Sequence, residues 1–197
     1  VFKSSVNRSP MESTAGKAGE EAYLHIELRL IASAGLIGLP NAGKSSLLNA
    51  LTGSSAKVGA YAFTTLDPNL GALYGYVLAD IPGLIEGASA GKGLGSKFLR
   101  HIARTSMLLH CVSLESEKPL QDYKTVRDEI SRFGGGELSK KPELIVLTKS
   151  DMRTPAEIKK IANKFKGKKI ETVSVLDDET IKRVGDTIVA ALRKNEG

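Results

Sequence analysis

A lysine and a serine in a glycine-framed loop are the first residues whose types and spacing predict chemistry. Residues 38–45 read GLPNAGKS, the spacing G-x-x-x-x-G-K-S, between an apolar run and the segment LLNAL. The glycines allow the backbone N–H groups to surround phosphate oxygens. Lys44 is then expected to reach the β- and γ-phosphates of a nucleotide, and the Ser45 hydroxyl to ligate Mg²⁺. The predicted phosphate contacts cover the whole loop: Gly38, Leu39, Pro40, Asn41, Ala42, Gly43, Lys44 and Ser45.

The segment DIPG, residues 80–83, is a second candidate because it ends the apolar run YVLADI. Asp80 is expected to hold the Mg²⁺ shell, usually through water, and the Gly83 N–H to face a γ-phosphate. Ile81 and Pro82 complete this set of nucleotide contacts. Taken alone, Asp-x-Pro-Gly equally describes a turn. Its place downstream of the phosphate loop and after a buried strand favours the functional interpretation.

The segment TKSD, residues 148–151, predicts which base is bound. It follows the apolar run ELIVL, and ligands of open α/β sheets lie beyond the carboxyl ends of the strands. The Asp151 carboxylate can accept two guanine N–H groups that adenine does not have. The stem of Lys149 can lie across the base, with Thr148 and Ser150 completing the contact. A capped helix start explains TKSD equally well in isolation, but its order after the other two motifs favours guanine.

Two further segments are expected to contact the nucleotide. After the last predicted strand, a backbone N–H in the loop Ser174, Val175 and Leu176 could reach the guanine O6. Between the first helix and the hairpin, YAFTTLDPNLG at residues 61–71 offers Thr64 and Thr65 as Mg²⁺ ligands that bind only when a γ-phosphate is present. The predicted contacts of this second segment are Phe63, Thr64, Thr65, Leu66 and Asp67.

Alternating strand-like and helix-like segments predict an α/β domain with a mostly parallel sheet. LGALYG and YVLADI are nearly contiguous, so they are expected to pair as an antiparallel hairpin. A helix ending at Gly53 follows the phosphate loop, and Thr154, Pro155 and Glu157 predict a capping box. The resulting sheet has six strands, one of them antiparallel, with helices on both faces. The six strand segments are AGLIGL, LGALYG, YVLADI, MLLHCVSL, ELIVLTKS and KIETVSV.

The composition of the 197-residue chain is that of an ordinary globular protein, with 41% hydrophobic and 25% charged residues. No apolar stretch approaches the roughly 20 residues that span a bilayer, so no membrane partner is expected. Cys111 is the only cysteine and is predicted to lie in the core, so no internal disulfide forms and a cytoplasmic location is expected. A monomer is expected as well. The formal net charge is +6, and residues 140–169 are rich in lysine. That stretch could face nucleic acid phosphates, or it could be a solvated helix face.

Together, GLPNAGKSS, YAFTTLDPNLG, DIPGLIEGASAGKGLG and TKSD resemble the Obg family of GTPases. The resemblance implies a P-loop NTPase fold with a GTPase domain over residues 31–197. Residues 1–30 then form a linker and the remnant of a preceding Obg domain. It also implies Mg²⁺ ligation by Ser45 and Thr65, and work with the large ribosomal subunit and its rRNA. Three positions depart from the family pattern: Ala62 replaces proline, Thr148 replaces asparagine, and SVL stands where serine-alanine is usual.

GTP hydrolysis to GDP is expected to be slow in the chain by itself. Leu84 stands where Ras-like enzymes place a water-orienting glutamine, so a partner or a cation has to assist. The Asn41 side-chain carbonyl is suited to a K⁺ ion, although asparagine also suits the turn by itself. His110 lies in an apolar strand and is interpreted as a hydrogen-bonded core residue. The alternative function is a guanine-nucleotide sensor with negligible turnover. The predicted catalytic residues are Asn41, Lys44, Thr65 and Gly83.

Overall fold

A computed structural model describes residues 32–53, 57–58, 69–80, 105–132 and 134–195, with residues 6, 8, 9, 11 and 16–23 of the N-terminal stretch. Strands and helices alternate along these residues. The strands are β1 Ala34–Ile37, β2 Lys57–Val58, β3 Asn69–Leu73, β4 Tyr76–Asp80, β5 Met107–Ser113, β6 Glu143–Thr148 and β7 Lys169–Thr172. The helices are α1 Lys44–Thr52, α2 Pro119–Arg132, α3 Pro155–Ala162 and α4 Asp178–Asn195, with 3-10 turns at Gly134–Lys140 and Ser150–Met152.

The strands form one sheet in the order β2-β3-β4-β1-β5-β6-β7. β1 pairs in parallel with β4 and β5, and β6 and β7 continue in parallel beyond β5. β3 is antiparallel to both of its neighbours, so within the described residues it alone runs against the others. The mostly parallel sheet with one antiparallel strand is confirmed. A seventh strand, β2, adds to the six that the sequence predicts. It was not predicted, because a segment of two residues carries no periodic pattern.

Helices cover both faces of the sheet, as predicted. On one face, Leu36 and Leu109 of the strands pack with Leu47 of α1 and with Val184 and Ile188 of α4. The neighbouring residues of the same strands point the other way, because side chains alternate along a strand. Thus Ile37 and Leu108 pack with Val126 and Ile130 of α2, and Val112 and Ile145 with Ile158 of α3. The central strands are therefore apolar on both sides.

Local signals set the predicted helix boundaries. Gly53 ends α1 in the left-handed region at φ 60°, where its N–H donates to the Asn49 carbonyl. At the start of α3, Thr154 and Glu157 form the predicted capping box: the Thr154 side chain accepts from the Glu157 N–H, and the Glu157 side chain accepts from the Thr154 N–H. Pro155 occupies the first turn, where its missing N–H costs nothing.

Cys111 is buried as predicted, with 1% of its surface exposed, and burial raises the pKa of its thiol to about 12. Residues 16–23 are exposed and form no helix or strand, while the division into residues 1–30 and 31–197 stays a prediction. Within the described ranges, every helix is too short or too polar to cross a membrane.

Candidate nucleotide-binding site

The predicted site residues follow the carboxyl ends of adjacent strands. β1 ends at Ile37 and leads into the phosphate loop, β4 ends at Asp80, and β6 ends at Thr148. Because these strands are parallel neighbours in the sheet or are joined through β5, their ends lie at one edge. This edge is where open α/β sheets bind ligands.

The phosphate loop has a backbone that its glycines make accessible. Gly38 has φ 150°, and a Cβ there would lie 2.4 Å from the Cys111 carbonyl oxygen, so the loop passes too close to β5 for a side chain. Gly43 and Asn41 are left-handed at φ 79° and 60°. The Lys44 ammonium folds over the loop and donates to the carbonyl oxygens of Gly38 and Leu39 at 3.1 and 2.9 Å. The loop is therefore curled beneath a cationic side chain.

Ser45 and Asp80 lie in contact, with the Ser45 hydroxyl donating to Asp80 Oδ2. Asp80 is 2% exposed, and its other carboxylate oxygen has no hydrogen-bond partner among the described residues. A hydroxyl and a buried carboxylate with a spare oxygen form the kind of hard oxygen donor set that Mg²⁺ prefers. The residues present thus fit the metal that the sequence predicts.

Thr148 connects the segment TKSD at residues 148–151, called the base motif from here on, to the phosphate loop. Its hydroxyl donates to the Ala42 carbonyl oxygen at 2.7 Å and also lies 3.3 Å from the Val112 carbonyl oxygen. Thr148 is buried, and its side chain also lies against the backbone of Gly43. Its single hydroxyl proton is used within the protein. In this chain Thr148 therefore positions the loop.

Asp151 and the loop after β7 also meet. The Ser174 hydroxyl donates to Asp151 Oδ1 at 2.6 Å, and the Ser150 N–H donates to the Val173 carbonyl at 3.1 Å. Two N–H groups of this loop already have partners: that of Ser174 donates to Thr180 Oγ1 of α4, and that of Leu176 donates to Ser174 Oγ within the loop. The Val175 N–H has no such partner in the described part of the chain, so it is the candidate donor to a base.

A polar cavity of about 470 Å³ lies between the phosphate loop and the base motif, lined by Asn41, Gly43, Lys44, Ser45, Ser46, Glu115 and Lys149. Lys149 is left-handed at φ 57°, and its ammonium pairs with the Glu115 carboxylate. Sequence reasoning missed Glu115, because SLESEK contains no recognisable motif. The available signal was its position two residues beyond the end of β5, at the same sheet edge.

The remaining predicted contacts lie outside the described residues, and their roles stay predictions. Ala62 and Leu84 also lie outside the described residues, and what is expected of them stays a prediction. The contacts concerned are Phe63, Thr64, Thr65, Leu66, Asp67, Ile81, Pro82 and Gly83.

Comparison with solved structures supports the fold. The G domain of the T. maritima FeoB iron transporter is similar in structure, with 20% sequence identity and a TM-score of 0.59. The match covers 82% of this chain and 98% of that domain. The cytosolic domain of the same transporter in its GMPPNP form matches 84% of this chain with 65% of its own, at 23% identity and a TM-score of 0.60. Identities this low show a shared fold alone.

Sequence comparison supplies the family. The family model described as "50S ribosome-binding GTPase" matches residues 33–149. GTPase Obg of Prochlorococcus marinus strain NATL2A is 46% identical over 184 residues, which covers 91% of this chain and 56% of that protein. GTPase Obg of Rickettsia rickettsii strain Sheila Smith is 41% identical, covering 99% of this chain and 61% of that protein. The chain thus spans little more than half of these relatives' length. It belongs to the 50S ribosome-binding GTPase family, and its resemblance to the Obg GTPases is confirmed.

Proposed function

We propose that this chain binds GTP together with Mg²⁺ and hydrolyses it to GDP and phosphate. The observation that carries the proposal is the convergence of Lys44, the Ser45–Asp80 pair and the Asp151–Ser174 pair at one edge of the sheet. The sheet order β4-β1-β5-β6 puts the phosphate loop between Asp80 and Asp151. Metal, phosphates and base follow one another in the same order in a bound nucleotide.

The chain's own residues would bind and orient the substrate. Loop N–H groups and the Lys44 ammonium would surround the β- and γ-phosphates, and Asp151 would accept the two guanine N–H groups. Ser45, Thr65 and Asp80 would hold Mg²⁺, which neutralises phosphate charge when bound. Thr65 and the Gly83 N–H are assigned on the sequence motifs alone.

Substitution of Lys44 tests the site. Lys44→Ala should abolish GTP binding, because it removes the cation that faces the phosphates. Ser45→Ala should weaken Mg²⁺-dependent GTP binding more than metal-free GDP binding. Both are measured by titration with fluorescent nucleotide analogues. Exposed Lys124 on α2 provides the matched control, since Lys124→Ala also removes one ammonium. Unchanged GTP affinity in Lys44→Ala would exclude this loop as the site.

A guanine-nucleotide sensor with negligible turnover is the second candidate, supported by Leu84 in place of a water-orienting glutamine. Phosphate release from GTP and from ATP, with and without large ribosomal subunits, separates the two functions. The hydrolysis proposal expects slow release from GTP that subunits accelerate, and none from ATP. A rate that stays at the spontaneous level in every condition would identify the sensor.

The partner proposed is the large ribosomal subunit with its rRNA, contacted by a monomer in the cytoplasm. The family's description suggests this partner, and a cluster of exposed lysines that extends from α3 to the first residue of β7 is compatible with RNA phosphates. Lys164→Glu with Lys166→Glu should reduce co-sedimentation with subunits, while Lys118→Glu with Lys124→Glu should not. Equal co-sedimentation of the two double variants would remove this lysine cluster from the proposal. Its exposed members are Lys159, Lys160, Lys164, Lys166, Lys168 and Lys169.

A further inference from the structure

A second cavity, of about 250 Å³, adjoins the phosphate loop on its α2 side. Leu39 and Asn41 of the loop, His110 of β5 and Val126 of α2 are among its lining residues. It shares only Asn41 and Glu115 with the lining of the nucleotide cavity described above. The proposed GTP site therefore does not account for it.

One residue that lines this cavity, His110, has a buried ring nitrogen that lacks a hydrogen-bond partner among the described residues. His110 is fully buried, and its Nδ1 lies 3.0 Å from Glu143 Oε1. Glu143 also accepts from Tyr123 and Lys168. Burial alone would raise the pKa of Glu143, but the hydrogen bonds from His110 and Lys168 and the charge of Arg127 hold it below its ordinary value. The ionised carboxylate therefore accepts the Nδ1–H.

The other ring nitrogen then carries a lone pair, because burial lowers the pKa of His110 and keeps the ring neutral. Nε2 is buried and has no hydrogen-bond partner among the described residues. This corrects the expectation that His110 is a fully hydrogen-bonded core residue. Leaving a buried polar atom unpaired is costly, so a ligand that donates to Nε2 would be stabilised.

Two carboxylates, those of Glu115 and Asp122, also line the cavity. Glu115 is paired with Lys149, while Asp122 has no ion pair among the described residues. The remaining lining includes apolar side chains, those of Leu39, Val112 and Val126. The cavity thus combines negative charge, a buried acceptor and an apolar wall.

We propose that this cavity is a second ligand site, which binds an aliphatic cation: a guanidinium or ammonium group on a short apolar chain. The cationic group donates to His110 Nε2 and faces Asp122, and the chain packs against Leu39 and Val126. A free small cation and an arginine side chain of a partner protein share this chemistry.

Calorimetric titration with butylguanidinium and with N-butylurea tests the charge requirement. The two probes have the same shape and number of non-hydrogen atoms, but only butylguanidinium is charged. For so small a ligand a Kd on the order of 1 mM is expected. N-butylurea should bind at least about tenfold more weakly, because it lacks the charge that faces the carboxylates. Equal affinities for the two probes would overturn the proposal.

Variants locate the binding. Asp122→Asn should weaken butylguanidinium binding about tenfold, whereas Asp128→Asn, an exposed position on the same helix, should not. His110→Phe should also weaken it, with circular dichroism checking that the variant is folded. Equal binding by the Asp122 and Asp128 variants would overturn the proposal, whatever the outcome at His110.

Two further experiments distinguish the second cavity from the nucleotide cavity, and a free small cation from an arginine side chain of a partner protein. Butylguanidinium should still bind when GDP saturates the protein, and its displacement by GDP would assign it to the nucleotide cavity and overturn the proposal. This arm rests on the proposed function, whereas the variant arm does not. N-acetyl-arginine amide binding as tightly as butylguanidinium supports a partner's side chain as the source, and selective binding of butylguanidinium supports a free small cation.

Discussion

At the residue scale, the proposed choice of guanine depends on one carboxylate. Ser174 donates to Asp151 Oδ1 at 2.6 Å and so limits the orientations of the Asp151 side chain. A carboxylate that accepts two N–H groups discriminates by charge as well as by shape, because adenine offers no such pair. Ser174 is buried while Asp151 is exposed. The hydroxyl that positions the carboxylate is therefore shielded from solvent, and the carboxylate proposed to bind the base is accessible.

Asp151→Asn should therefore lose GTP affinity at least about tenfold, because a charged acceptor is replaced by a neutral amide. The amide N–H can pair with the 2-carbonyl of xanthine, so the variant should prefer xanthosine triphosphate. Competition binding with GTP, XTP and ATP measures the preference, and Asp128→Asn is the control. A variant that still prefers GTP would show that another group selects the base.

Asn41 has two roles that the structure leaves compatible. Its left-handed backbone at φ 60° is one that asparagine tolerates well, which explains the residue as loop architecture. Its exposed side chain lines the nucleotide cavity, where a neutral carbonyl oxygen is suited to K⁺. If Asn41 holds K⁺, hydrolysis should be faster in potassium than in sodium at equal ionic strength, and Asn41→Ser should abolish the difference while GTP still binds. Identical rates of wild type in both salts would leave the architectural role alone.

At the element scale, the end of β6 and the phosphate loop are joined through Thr148, whose hydroxyl donates to the Ala42 carbonyl. Thr148→Val keeps the side-chain shape but leaves that carbonyl without its donor. We expect GTP and GDP affinities to fall together by about 2- to 12-fold, the equivalent of one hydrogen bond, with the preference for guanine unchanged.

Thr148→Ser retains the hydroxyl and is the matched control, expected to bind close to wild type. Parallel titrations of both variants with GTP, GDP and ATP measure the effect. A Thr148→Val variant whose nucleotide affinities match those of Thr148→Ser would show that the hydrogen bond to Ala42 does not hold the loop.

At the scale of the whole molecule, a polar cluster around the buried Glu143 carboxylate links β5 and β6 to α2. Glu143 of β6 accepts from His110 of β5 and from Tyr123 of α2, and Arg127 of α2 lies 3.7 Å away. Lys168, in the turn before β7, also donates to Glu143. Because the cluster holds groups whose pKa values change on folding, it makes the stability of the whole fold depend on pH.

For both His110 and Glu143, the free energy of unfolding decreases as the pH falls. Burial lowers the pKa of His110 below the value of 6.5 that it has in the unfolded chain. The stabilisation of the fold by neutral His110 is therefore complete above pH 6.5 and is lost as the pH falls below that value. Glu143, lowered from 4.5 to about 2, adds a second loss below pH 4.5. The free energy of unfolding should therefore fall between pH 7 and 5.5, by up to about 1.4 kcal/mol per pH unit for one group.

Urea unfolding at pH 7, 5.5 and 4 measures this loss. His110→Gln, which does not titrate, should remove the decrease between pH 7 and 5.5 and retain the decrease below 4.5. Parallel curves for wild type and His110→Gln would contradict the assignment of the upper part to His110.

The roles proposed for the phosphate loop, Asp80 and Asp151 come from the sequence, because each depends on residue types at short spacing. The strands and helices were predictable for the same reason, since apolar periodicity and capping residues act locally. The antiparallel hairpin also followed from the near contiguity of its two strands.

The tertiary structure alone decided which distant residues meet. Thr148 reaches Ala42, Glu115 joins Lys149, and His110 faces Glu143 because β5 lies between β1 and β6 in parallel register. No local pattern encodes that order of strands, which depends on how apolar faces pack across the sheet. The sequence by itself therefore determined the residue types of the proposed site, and the packing of the sheet decided which residues hold them and which second cavity lies beside them.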